Sequence, residues 1–117
     1  MTFARVASVM YFVDEPPTAG AWYAKHLFGG ISLREDAGFV WLEVGGVEVG
    51  FHPKDEAKNP PGGGAVVYWW VENFVRTREV LLAAGCAAWR GPLRLTQTRV
   101  ICQLRDPFGN IMGLEGS

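Results

Sequence analysis

His52, Glu48 and Glu115 are the side chains of this sequence best suited to moving a proton. An imidazole titrates near neutrality and acts as a general base, so His52 beside Glu48 or Glu115 makes a candidate acid–base pair. His26, on a helix between Lys25 and Leu27, reads as a surface or rim residue. Arg90, Arg94, Arg99 and Arg105 gather in the last third of the chain. A guanidinium binds a carboxylate through two parallel hydrogen bonds, so this set either meets an anionic ligand or stands solvated. Cys86 and Cys102 have neither Cys-x-x-Cys nor metal-knuckle spacing. Cys102 falls in a strand with no base or helix N-terminus nearby, the setting of a buried, inert thiol.

These groups must be positioned by a fold that states one pattern twice. Ala7-Ser8-Val9-Met10-Tyr11-Phe12-Val13-Asp14 can be laid over Ala65-Val66-Val67-Tyr68-Trp69-Trp70-Val71-Glu72. A period of half the chain implies a duplicated supersecondary module, not a solenoid. In the first half, β-branched and aromatic residues predict a strand over 6–13, stopped by Asp14-Glu15-Pro16-Pro17. A helix follows, with Thr18 as the expected N-cap, Ala19, Trp22, Tyr23 and Leu27 at helical spacing, and Gly29-Gly30 as its end. Strands are expected at 31–34, 39–44 and 47–52, the last two joined by a Gly45-Gly46 hairpin. The second half repeats the order: a strand at 66–71, a helix at 74–84 between Asn73 and Gly85, then strands near 87–89, 100–105 and 111–114. Asp106-Pro107-Phe108-Gly109-Asn110 has the chemistry of a tight turn. The stretch 53–64 is polar and rich in Pro and Gly, and reads as a connector between modules over about 4–53 and 65–117 of one domain.

Composition narrows the partners. With 117 residues and 49% hydrophobic content the chain can bury one modest core. A net charge of -1 gives no basic footprint for nucleic acid. The apolar run at 6–13 is far short of the roughly 20 residues that cross a bilayer. A cytoplasmic setting, without membrane or nucleic-acid partners, is expected.

The duplicated βαβββ order, Gly85 after an apolar helix, the segment Leu42-Glu43-Val44-Gly45-Gly46-Val47-Glu48-Val49, and Arg105-Asp106-Pro107-Phe108-Gly109-Asn110-Ile111 together resemble the vicinal oxygen chelate superfamily. That superfamily comprises glyoxalases, bleomycin-resistance proteins and ring-cleaving dioxygenases. The resemblance implies an α+β fold of two βαβββ modules forming an incomplete barrel around a cavity, commonly as a homodimer. It also implies a divalent metal held by His, Glu or Gln from the first and fourth strands of each module. Here those positions fall on Ala7, Ala65, Gly50 and Gly113, none of which carries a donor atom. An ion needs three or four nitrogen, oxygen or sulfur donors at about 2.0 to 2.6 Å, so neither a metal nor any other cofactor is expected.

Side chains alternate along a strand, which places Tyr11 with Ala7, and Trp69 with Ala65, on the cavity side. The same count brings Glu48 and His52, Gln103 and Arg105, and Glu115 inward. The expected ligand-binding set is therefore Tyr11, Trp69, His52, Gln103 and Arg105, serving a metal-free protein that binds a small aromatic or amphipathic molecule. The alternative is a lyase or isomerase in which His52 and a carboxylate, Glu48 or Glu115, transfer a proton. A third arrangement keeps a metal on His52, Glu48 and Glu115.

Overall fold

The structure, a computed structural model, describes residues 4–57 and 64–117. The chain divides into two compact units, Met1–Pro61 and Gly62–Ser117. Residues 58–63 of the expected connector lie outside the described residues. Among the described residues, no helix is long and apolar enough to cross a membrane.

The first unit runs β1 (Ser8–Val13), α1 (Pro16–His26), β2 (Arg34–Asp36), β3 (Phe39–Val44) and β4 (Val47–Pro53). Its sheet has the order β1-β4-β3-β2, with β1 parallel to β4 and the other pairs antiparallel. Pro16 and Pro17 open α1 instead of preceding it, and Glu15, not Thr18, is the N-cap. First-turn amides have no partner within a helix, so prolines there lose nothing and preset the backbone. The expected strand at 31–34 forms later, at Arg34–Asp36, because Ala37 and Gly38 make a second two-residue hairpin with φ of 51° and 83°. An alanine in that position hid the turn. The Gly45-Gly46 hairpin has φ of 56° and 82°, the left-handed pair that matches strand twist.

The sheet face beneath α1 carries Tyr11, Val13, Val40, Leu42, Val49 and Phe51, all buried. Tyr23 of α1 packs its ring 5.1 Å from that of Tyr11 and 5.2 Å from that of Phe51. This corrects the expected facing of β1. The parallel register pairs Tyr11 with Phe51 and Met10 with Gly50, so Tyr11 belongs to the core beneath the helix and Met10 to the opposite face.

The second unit repeats the plan with β5 (Tyr68–Trp70), α2 (Phe74–Ala83), β6 (Ala87–Thr96), β7 (Arg99–Arg105) and β8 (Ile111–Gly116), in the order β5-β8-β7-β6. The Asn73 side chain accepts a hydrogen bond from the Arg76 amide at 3.2 Å, capping α2. Phe74 and Leu81 of α2 are buried, as are Val100, Cys102, Leu104, Met112 and Leu114 of the sheet. Trp69 pairs with Leu114 and Tyr68 with Gly113, so the expected facing is inverted here too: Trp69 shares the row of the buried residues. β6 runs for 10 residues, well past the expected end at Trp89. Gly91-Pro92 is accommodated because on an edge strand one side of the backbone needs no partner, and irregularities in the β6–β7 register absorb the pair. In the last turn the buried Asp106 carboxylate accepts from the amides of Phe108 and Asn110, each at 2.9 Å.

Candidate functional site

Each sheet has one face under its helix and a second, open face. In the first unit the open face is built in rows across β1, β4 and β3. Phe12, His52 and Phe39 form one row; Met10, Gly50 and Trp41 the next; Ser8, Glu48 and Glu43 the third. The Phe39 ring meets the His52 imidazole edge-on at 4.6 Å and lies 5.4 Å from Trp41. His52 Nε2 is buried and has no hydrogen-bond partner among the described residues. The indole N–H of Trp41 donates to Glu43 at 3.3 Å.

This geometry bears directly on the expected proton-transfer pair. Glu48 shares the face of His52 but lies four residues away along one strand, about 13 Å at roughly 3.3 Å per residue. That gap is too long for a hydrogen bond and too long for both side chains to chelate one ion. Glu115 accepts from Arg99 Nε and Nη2 at 3.0 and 3.1 Å, a bidentate pair. Glu48 is thus out of reach of His52, and the Glu115 carboxylate is already engaged by Arg99. Among the described residues no three His, Cys, Asp or Glu side chains group as a metal site.

The open face of the second unit holds a cavity of about 150 Å³. Tyr68, Gln103, Ile101 and Cys102 line one part of it; Arg90, Gly91 and Leu93 of β6 line the rest. The Tyr68 ring crosses β8 above Gly113, and its hydroxyl accepts a 2.8 Å hydrogen bond from the Gln103 amide on β7. A Cβ at Gly113 would lie 2.6 Å from Cγ and 2.7 Å from Cε2 of Tyr68, and nearer still to Cδ2. The first unit repeats this device: a Cβ at Gly50 would lie 2.9 Å from both Sδ and Cε of Met10. At both fourth-strand positions where the resemblance implied a metal ligand, the side chain opposite on the first strand fills the space. The glycines there carry no donor atoms, and at Gly113 the Tyr68 ring leaves no room for a larger side chain, so the residues present do not fit a metal at those positions. Ala7 and Ala65, the first-strand positions, lie outside β1 and β5.

Of the residues expected to bind ligand, His52, Gln103 and Arg105 stand on open faces, whereas Tyr11 and Trp69 do not. Arg105 lies over the Trp89 ring, 4.4 Å from its centroid. Tyr68 and Trp41 are among the aromatic residues that sequence reasoning missed as open-face residues. Their signal was in the chain: each pairs with a glycine, Gly113 or Gly50, whose face had been correctly assigned. Cys102 is buried, as expected of an inert thiol, and Cys86 is buried as well. Burial pushes the Cys102 thiol up. Burial, helped by the charge of Asp106, pushes that of Cys86 from 9.0 up to about 12.

A family profile described as "Glyoxalase/Bleomycin resistance protein/Dioxygenase superfamily" matches residues 5–114. Solved structures share the fold. A glyoxalase/bleomycin resistance protein/dioxygenase family enzyme from Burkholderia phytofirmans PsJN superposes with a TM-score of 0.77 at 20% identity, covering 96% of this chain and 98% of its own. An integron cassette protein from the mobile metagenome of V. cholerae gives 0.74 at 22% identity, with 98% and 96% covered. A glyoxalase/bleomycin resistance protein from Albidiferax ferrireducens T118 gives 0.70 at 18%, with 93% and 95% covered. No curated protein sequence matches the chain.

Proposed function

This chain belongs to the glyoxalase/bleomycin resistance protein/dioxygenase superfamily, and from that premise we propose that it binds a small aromatic or amphipathic molecule without a metal ion. The observation that carries this proposal is the cavity of about 150 Å³ on the open face of the second sheet. Its walls combine aliphatic Leu93 and Ile101 with the Tyr68 hydroxyl, the Gln103 amide and the Arg90 guanidinium, the mix of apolar lining and few polar groups that small-molecule sites share. Size decides the ligand class. A cavity of about 150 Å³ admits a benzene-sized molecule, whereas drug-sized ligands occupy roughly 300 Å³ or more. A single ring fits within this volume; a bleomycin-sized drug would extend beyond it. Phe39 and Trp41 in the first unit offer a separate stacking surface, worth about 0.5 to 1.5 kcal/mol per ring pair.

Thermal unfolding and calorimetry with one-ring compounds, such as phenol and benzyl alcohol, test the proposal. At a ligand concentration about 100 times Kd, binding stabilises the folded chain by about 2.7 kcal/mol, a shift easily read in Tm. Leu93→Trp, at a position 56% exposed and therefore tolerant, would fill the mouth of the cavity and abolish the shift. A panel that leaves Tm unmoved, or binding that survives Leu93→Trp, would refute it.

The chain is further taken to act as a homodimer. Exposed Trp70, Trp89, Leu93 and Leu95 support that assignment by offering apolar surface for a second copy to cover. Sedimentation at micromolar concentration checks it; a monomer would exclude it. Proton transfer by His52 with Glu48 or Glu115 is the weaker alternative, since Glu48 stands about 13 Å away along the strand and the Glu115 carboxylate is already held by Arg99.

A further inference from the structure

Resting on the cavity proposed above as a binding site, we infer that its ligand is a one-ring carboxylate and that Arg90 holds the charge. Four arginines crowd the last third of the chain, and three are already engaged. Arg94 donates to the carbonyls of Thr96 and Gln97 at 3.3 and 3.2 Å. Arg99 holds Glu115 through two nitrogens. Arg105 lies over the Trp89 ring. Arg90 alone of the four lines the cavity, and it has no hydrogen-bond or ion-pair partner among the described residues. A guanidinium beside a cavity with its fork unfilled suits a planar two-oxygen anion, which it meets with two parallel bonds.

The other walls agree in sign. The Tyr68 hydroxyl accepts from Gln103, so its own proton remains to be donated to a ligand oxygen. None of the lining residues is acidic. Glu115, which pairs with Ile101 across the β7–β8 ladder, has its charge answered by Arg99. Donors therefore converge on the cavity with no like charge to repel an anion. Leu93, Ile101 and the Tyr68 ring supply the apolar surface for the ring of the ligand.

The probes are benzoate and benzamide, which match in size and shape and differ in charge. Titration calorimetry on the native chain should show benzoate binding at least about tenfold more tightly, as expected of a charge-assisted bidentate pair. Arg90→Gln should weaken benzoate by at least about tenfold and leave benzamide within about twofold. Arg94→Gln, outside the cavity, should preserve the native ratio, and the Tm of both unliganded variants reports that they fold. Equal native affinity for the two probes, or undiminished benzoate binding by Arg90→Gln, overturns the inference while leaving the cavity itself as a neutral site. If neither probe nor any neutral one-ring compound binds, the cavity proposal falls and takes this inference with it.

Discussion

Gly113→Ala tests the packing on which the second unit's cavity depends. The new methyl carbon would stand 2.6 Å from Tyr68 Cγ and 2.7 Å from Cε2, far inside contact distance. Because Cγ itself is in the way, swinging the end of the ring is not enough; the whole side chain must turn about its first dihedral. Overpacking of this kind typically costs about 1 to 3 kcal/mol. Turning Tyr68 also breaks the 2.8 Å bond to Gln103, worth about 0.5 to 1.5 kcal/mol, and at the low end here because Tyr68 is 39% exposed. A loss of about 2 kcal/mol is expected. In a Tyr68→Ala background the methyl meets no ring, and alanine is favoured over glycine in a strand by roughly 0.5 to 1 kcal/mol, so the substitution should become neutral or stabilising. Urea unfolding of the native chain, the two single variants and the double variant measures the coupling, expected at about 2 to 3 kcal/mol. Gly50→Ala should cost less, under about 1 kcal/mol, because it meets the flexible thioether end of Met10. A coupling below about 0.5 kcal/mol between positions 68 and 113 would refute the claim that Tyr68 fills the space over Gly113.

Ala37→Asn should stabilise the chain by about 0.5 to 1 kcal/mol in urea unfolding, because Ala37 holds a φ of 51° and Asn-Gly is the favoured pair for such a hairpin. Asp106→Ala should destabilise by about 2 to 3 kcal/mol in the same assay, since the Asn110 amide and the partly buried Phe108 amide both lose their acceptor; Asp106→Asn should restore part of the loss. Cys86 and Cys102 should resist a thiol reagent at pH 8 until the chain unfolds, as both thiols are raised by burial. Because folding raises the Cys86 thiol from 9.0 to about 12, its contribution to stability is complete below pH 9 and is lost as pH rises towards 12. Cys86→Ala should flatten that alkaline decline.

Both helices, the second module's caps and the Asp106 turn were legible in the chain because each rests on local chemistry. Asn73 bonds its own first turn, and Asp106 bonds amides two and four residues on. What failed was the choice of face. Alternation states that Tyr11 and Met10 point opposite ways, but which of them lies under the helix depends on parallel pairing with β4, some 40 residues distant, and no local signal sets that register. Position in the duplicated motif suggested Ala7 and Ala65 as open-face residues, and both first strands inherited the error. β4, β7 and β8 were placed on the correct face because their phase was counted from adjacent turns. The Arg99–Glu115 pair, 16 residues apart, was likewise invisible until β7 and β8 were laid side by side.

Met10 over Gly50 and Tyr68 over Gly113 make the same exchange twice, a bulky neighbour supplying the volume that a bare backbone leaves vacant. Mutationally, Tyr68 and Gly113 are locked together, whereas the thioether end of Met10 can give way above Gly50. Installing a coordinating side chain at position 113 collides with the root of the Tyr68 ring. An engineer hoping to convert this scaffold into a metalloenzyme must therefore alter Tyr68 and Gly113 together, and single-substitution libraries would pass over that route.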